Sequence, residues 1–235
     1  MAKSSYLNRR EQLELYFDRT ASKAWEQLTS EAPVSRVRQS VRAGRNTMRE
    51  QLLSWLPDKL EGKRILDAGC GTGSVAIEMA ERGAHVTAVD ISGSLIEVAR
   101  SRTPSDLVEQ IDYQVGDMIF SREPGFDYVL AMDSLIHYPE QDMVTAIASL
   151  LDSLANEQGT VLFTFAPRTP VLMLIKRLGL LFPRSDRSPA IEPIAEDRLR
   201  SAILANQQRE GVTIGRTHRV NTTFYKSQAM ELKLQ

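Results

Sequence analysis

Residues 65–73 read Ile-Leu-Asp-Ala-Gly-Cys-Gly-Thr-Gly, and residues 86–90 read Val-Thr-Ala-Val-Asp. The first run has the form of a buried strand that enters a glycine loop and then a helix carrying Val75, Ile77, Met79 and Ala80. Glycines allow a tight turn and a close approach of backbone to ligand. The second run is another short apolar strand, and it ends in a carboxylate. Asp90, about twenty residues after the loop, is placed to accept hydrogen bonds from the two hydroxyls of a ribose. A strand-turn-helix corner without a ligand would account for the glycines but not for the acid. The pair describes a nucleoside-containing cofactor lying across the carboxyl ends of parallel strands.

Spacing narrows the cofactor. A dinucleotide fingerprint needs Gly-x-Gly-x-x-Gly, but here Gly73 comes one residue early and Ser74 stands where that glycine belongs. No Gly-Lys-Ser/Thr triplet is present for a phosphate-cradling P-loop. Asp67 lies two residues before Gly69, and Asp-x-Gly-x-Gly-x-Gly resembles motif I of the class I S-adenosylmethionine-dependent methyltransferases. The resemblance implies that Asp67, Gly69, Gly71 and Asp90 hold S-adenosylmethionine.

The chain has 235 residues, 42% of them apolar, which suffices for one cored domain with an appendage. It has no apolar run of about 18 residues and its N-terminus is polar, so neither a transmembrane helix nor a secretory signal is expected. Cys70 is the only cysteine, so no internal disulfide can form and a reducing cytoplasm is expected. Within the glycine loop it reads as a small residue that fits rather than a reactive thiol. The net charge of -1 hides an asymmetry. Residues 1–56 hold ten Lys/Arg against six Asp/Glu, residues 168–189 five against one, and the remainder fourteen against twenty-three. Basic segments around an acidic core suit an anionic partner, or are ordinary solvated faces.

After residue 60 strands and helices alternate. Lys63–Ala68, His85–Asp90, Ile111–Gly116, Phe126–Met132 and Thr160–Ala166 read as strands. Gly73–Arg82, Ser94–Arg102, Gln141–Leu154 and Glu196–Asn206 read as helices. This order argues for a parallel sheet covered on both faces. Val212–Thr223 and Phe224–Leu234 are separated only by a tight turn and should pair antiparallel. Periodicity permits, and the resemblance to the class I methyltransferases implies, an α/β Rossmann-like fold with a mostly parallel seven-stranded sheet and helices on both faces. A helical N-terminal arm and a lid insertion after the fifth strand complete it.

In Val115-Gly116-Asp117-Met118 an acid follows the third strand. In the resembled superfamily such an acid accepts from the adenine amine, the backbone amide of the next residue, here Met118, reaches the ring, and Ile91 would pack on the adenine face. Asp117 could equally serve as a turn or helix-cap residue. The fourth strand ends Met132-Asp133-Ser134-Leu135-Ile136-His137-Tyr138. The carboxyl ends of strands form the ligand crevice in such sheets, which puts Asp133, Ser134, His137 and Tyr138 near the transferred methyl group, with Met132 expected to contact the cofactor. If that loop is helical, Asp133 and His137 share a face, and Asp133 would fix the histidine tautomer. The alternative is a structural histidine.

Two segments exceed a bare methyltransferase core. Residues 1–56 form the arm, ahead of the domain at 57–235. In the arm Leu13, Phe17, Ala21, Ala24 and Leu28 mark one helix face. A second helix after Pro33 carries a stripe of Val37, Val41, Met48, Leu52 and Trp55, flanked by Arg38, Arg42, Arg45 and Arg49 at steps of four, three and four. Such a row can clamp carboxylates, or be a solvated face. Residues 167–193 are apolar and basic, too short to span a bilayer, and read as a lid, a membrane-surface contact or a buried helix.

Glu14–Ala21, Val37–Arg45, Ala131–Tyr138, Phe163–Pro170 and Leu181–Pro189 resemble the magnesium-protoporphyrin O-methyltransferases of chlorophyll and bacteriochlorophyll synthesis, over nearly the whole chain. One departure follows Trp25, where Glu26-Gln27-Leu28-Thr29 lacks the tyrosine of some members. The resemblance implies methylation of one propionate of magnesium protoporphyrin IX, with magnesium only as part of that substrate. It implies His137 and Asp133 at the catalytic end, and Arg38, Arg42, Tyr138 and Arg184 at the acceptor. Contact with the porphyrin-binding subunit of magnesium chelatase and peripheral contact with the photosynthetic membrane are candidate interactions. The rival readings are another small-acceptor O- or C-methyltransferase and a non-catalytic porphyrin-delivery protein. Nucleic acid is not expected, because the basic segments lack interleaved aromatics. No metal-ligand cluster is evident.

Overall fold

The computed structural model describes residues 2–18, 22–30, 33–119, 125–155, 158–170, 172–173, 191–206 and 211–234. Five parallel strands, β1 (Arg64–Ala68), β2 (His85–Asp90), β3 (Ile111–Val115), β4 (Tyr128–Ala131) and β5 (Thr160–Phe165), are closed by a hairpin of β6 (Val212–Asn221) and β7 (Lys226–Leu234). The sheet order is β3-β2-β1-β4-β5-β7-β6. β7 runs antiparallel to both β5 and β6, as the short turn requires.

Strands with apolar residues on both faces need cover on both, and the helices divide accordingly. The arm helix α3 (Arg36–Leu53), with α4 (Ser74–Glu81) and α5 (Gly93–Arg102), packs Met48, Leu52, Met79 and Ile96 on one face. On the other face α6 (Glu140–Asp152) and α7 (Glu196–Ala205) contribute Ile147, Leu150 and Leu199, and α1 (Ala2–Tyr16) adds Tyr6 and Leu13. The arm therefore completes the hydrophobic core on both sides rather than standing off it. The order turns outward in opposite directions from β1 and β4, which opens a crevice at their carboxyl ends.

Most strand and helix bounds agree with expectation within two residues; the arm does not. The apolar face expected over Leu13–Leu28 belongs to two helices, α1 and α2 (Ser22–Leu28), with Phe17 and Asp18 in a wider turn after α1. Asp18, in that turn, is held against α5. Its Oδ1 accepts from Ser92 Oγ at 2.6 Å and from the backbone N and Oγ of Ser94, at the start of α5. Within α3 the stripe is buried at Met48 and Leu52, but Val37 is exposed because its turn projects beyond the sheet. Most of the expected 167–193 lid lies outside the described residues.

Candidate active site

The glycine loop is held by backbone geometry that only glycine adopts at low cost. Gly69, Gly71 and Gly73 have φ of +81°, +54° and +80°. A Cβ on Gly69 would stand 2.4 Å from Ser134 Cβ, so the loop after β1 and the loop after β4 touch through the missing side chain. Gly69→Ala is therefore expected to cost about 2–4 kcal/mol in urea unfolding, from the left-handed backbone and the overlap together. A loss below about 0.5 kcal/mol would mean the two loops are not closely packed.

A cavity of about 500 Å³ opens at this junction. Asp67, Gly69, Gly71, Asp90, Ile91, Met118, Met132, Asp133, His137 and Tyr138 all line it, which brings together most of the residues expected there. Asp90 holds its floor: Oδ2 accepts from Gly71 N at 2.8 Å and Oδ1 from Ser92 N at 2.9 Å. Burial raises its pKa, against these backbone bonds. The thiol of Cys70 is pushed well above its ordinary range by burial and by Asp67 and Asp90. It fits a space-filling role.

The lining fits S-adenosylmethionine on two structural observations. Gly71 borders the cavity, and a Cβ there would meet no atom within 4 Å, so a side chain would occupy ligand space. Asp67 is 1% exposed, and its Oδ2 lacks a hydrogen-bond partner among the described residues. A cationic amino group is the donor such an oxygen calls for. Burial, then the nearby Asp90 charge, push the Asp67 carboxyl up to about 7. A ligand ammonium needs the ionised form, so affinity for S-adenosylhomocysteine should rise with pH from about 6 to 8, and Asp67→Asn should flatten that slope. For folding of the free protein the sign is opposite. The native carboxyl keeps a proton that the unfolded chain releases near ~3.9, so stability falls as pH rises through about 7. Calorimetric titration at several pH values checks the first slope; a parent profile already flat would remove Asp67 from the ammonium contact.

Two expected site residues do not line the cavity, and a third falls outside the described residues. Asp117 is buried but faces the arm: Tyr6 Oη donates to Oδ1 at 2.5 Å, and Arg10 lies 3.6 Å from Oδ2. Arg38 is exposed and off the cavity, because the first turn of α3 extends past it. Arg184 lies outside the described residues. The expected pairing of Asp133 with His137 also differs in geometry. Asp133 is not helical; its φ of +55° turns it away from the short 3₁₀ helix Leu135–His137. Its carboxylate meets Arg45, Tyr225, Ser227 and Thr164 instead of orienting the histidine.

The comparisons with known proteins agree with this geometry. Residues 131–234 match the family model described as magnesium-protoporphyrin IX methyltransferase C-terminus, and residues 65–157 match one described as methyltransferase domain. The chain is 46% identical to magnesium-protoporphyrin O-methyltransferase of Rhodobacter capsulatus, over 98% of this chain and 99% of that one. The chain belongs to the magnesium-protoporphyrin O-methyltransferase family. The crystal structure of magnesium protoporphyrin IX methyltransferase from Synechocystis with bound SAH superposes with a TM-score of 0.83, at 27% identity over 97% of this chain and 100% of that one. A ubiquinone biosynthesis O-methyltransferase of Alkalilimnicola ehrlichii is 33% identical over 84% of this chain and 79% of its own length.

What distinguishes this member from a bare methyltransferase core is how its arm closes the cavity. Leu13, Phe17, Trp25, Leu28 and Thr29 form the roof. Thr29 joins the glycine loop, accepting from Thr72 Oγ1 at 2.9 Å. Two arginines hold the end of α2: Arg42 donates to the Gln27 and Leu28 carbonyls, and Arg102 to the Glu26 carbonyl and to Thr29. Cations suit the carbonyl end of a helix. Arg42 was expected on the acceptor; here its guanidinium is engaged in fixing the roof. The sequence singled out neither Arg102 nor Tyr225. Each acts across more than seventy residues of chain, and no local pattern marks such a contact.

Proposed function

We propose that this chain transfers a methyl group from S-adenosylmethionine to a propionate carboxylate of magnesium protoporphyrin IX, giving the monomethyl ester and S-adenosylhomocysteine, in bacteriochlorophyll synthesis. One observation carries the reading: a single cavity joins the Asp67–Asp90 cofactor floor to the loop after β4, under an aromatic roof of Phe17 and Trp25. Full-length similarity to the family supports it.

When bound, S-adenosylmethionine supplies an electrophilic methyl group on a sulfonium centre. The acceptor, a carboxyl with a reference pKa of about 4.3, is already ionised at neutral pH. No side chain has to remove a proton from it. The protein has to orient the acceptor oxygen within about 3–3.5 Å of its target and keep water out. Phe17, Trp25 and Met132 supply the apolar cover. His137 is buried at the rim, its ring 6.1 Å from that of Phe17, and orients the attacking carboxylate or ligates the substrate magnesium. Arg42 and Tyr138 border the acceptor end. Residues 1–56 act as arm and lid on the domain at 57–235, and residues 167–193 as a second lid. Peripheral contact with the photosynthetic membrane and with the porphyrin-binding subunit of magnesium chelatase extends the same proposal, supported by the basic balance of 1–56. Among the described residues no helix is long and apolar enough to cross a membrane.

Turnover of methyl-labelled S-adenosylmethionine with magnesium protoporphyrin IX, metal-free protoporphyrin and a catechol tests the assignment. Label in a base-labile ester of the magnesium porphyrin is the expected result. Label in the catechol with none in either porphyrin would overturn it.

A further inference from the structure

Asp133 is the only non-glycine residue with positive φ among the described residues. Such a conformation persists only where surrounding contacts enforce it. The contacts here come from three separate parts of the chain. Thr164 on β5 accepts from Asp133 N at 2.7 Å through Oγ1, and that hydroxyl donates to Oδ1 at 3.2 Å. Tyr225, in the turn before β7, donates its phenol to the carboxylate at 3.0 Å, and Ser227 on β7 donates at 3.3 Å. Arg45 on α3 forms an ion pair at 2.8 Å. Burial and the Asp133 charge push the Tyr225 phenol well above its usual range, so it remains a donor.

Arg45 also stacks on the arm, with its guanidinium carbon 4.7 Å from the centre of the Trp25 ring. Both members of the ion pair line the cavity, beside the loop after β4 where the proposed function puts the acceptor carboxylate. Left bare, the Asp133 carboxylate would repel an anionic acceptor. Left free, the Arg45 guanidinium would grip the attacking oxygen and lower its nucleophilicity.

We propose that Arg45 is a specificity-determining residue that masks the charge of Asp133, while Asp133 withholds the arginine from the reacting carboxylate. This rests on the function proposed above. Asp133 and Tyr225 are then positioning residues that never touch the reactants. Their geometry leaves the Arg45–Asp133 pair uncharged in sum, which admits a carboxylate beside it without binding the reacting oxygen tightly.

Steady-state kinetics on magnesium protoporphyrin IX, at low and high salt, test this with Arg45→Met, Asp133→Asn and the double variant. Arg45→Met should raise the acceptor KM about tenfold, and salt should lower that KM by screening the bare carboxylate. Asp133→Asn should lower the acceptor KM while reducing kcat about tenfold, the split expected when a ground-state contact tightens. The double variant should return KM to within about threefold of the parent, because the two effects cancel. S-adenosylhomocysteine affinity should stay within about twofold throughout, which a general loss of structure would not leave intact. If Arg45→Met does not fold, Arg45→Gln, which retains donors, is read the same way. Both single variants moving KM in the same direction, or Arg45→Met keeping the parent's salt dependence, overturns the proposal. A parent that does not methylate this porphyrin overturns the underlying function instead.

Discussion

Asp90→Ala is expected to weaken S-adenosylhomocysteine binding by roughly 1.5–3 kcal/mol, about 10–150-fold, the range for losing hydrogen bonds to a charged acceptor. Besides its expected ribose contact, the carboxylate ties the glycine loop to the entry of α5 through Gly71 N and Ser92 N. Its removal therefore loosens both walls of the cofactor floor. The loop also loses the acceptor for a backbone N–H beside the cavity. Isothermal titration with the parent and the variant measures the change. Thermal unfolding without ligand should fall in parallel by a smaller amount, since Ser92 still caps α5 through its contact with Leu95 N. Affinity within twofold of the parent would remove Asp90 from the cofactor site.

His137→Ala should lower kcat by about 10–10³-fold while cofactor affinity changes little, the size of a lost orienting contact. The residue is 8% exposed at the cavity rim, and its short 3₁₀ helix is tied at Ile136 O by the backbone of Glu192. The loop should therefore survive the substitution. The acceptor carboxylate needs no deprotonation, so the parent's pH–rate profile should carry no ionisation that vanishes with the imidazole. Finding one would restore a proton-transfer role. Unchanged kcat would make the side chain merely structural.

The backbone of this fold was legible in the sequence because its signals are local. A parallel sheet buried on both faces writes its strands as nearly continuous apolar runs, as in Ile65–Ala68 and Val161–Phe165, interrupted only by Asp67 and Thr164, and its helices as 3.6-residue periods between them. The cofactor floor was legible for the same reason. Gly69, Gly71 and Gly73 are demanded by backbone angles, and Asp67 and Asp90 sit at fixed offsets from them along two adjacent strands. The acceptor end was legible only as a list of residues. The sequence puts Asp133 and His137 on one face only if their loop is helical, but contacts to Thr164, Tyr225, Ser227 and Arg45 hold Asp133 in the left-handed region.

The arginine row shows the same division. Its spacing on α3 followed from helical geometry, and position along the helix then separated the roles. Arg38 lies beyond the cavity, Arg42 holds the roof, Arg45 pairs with Asp133, and Arg49 pairs with Glu78. Periodicity places side chains on a face; which charge opposes each one depends on chain segments up to 90 residues away, as Arg45 and Asp133 are at 88. The sequence by itself determined the sheet, the glycine loop and the class of cofactor, because backbone conformation and strand burial leave local marks. Only the tertiary structure decided that arm residues line the same cavity as the glycine loop and that Arg45 pairs with Asp133 there, because those contacts depend on distant segments meeting in space.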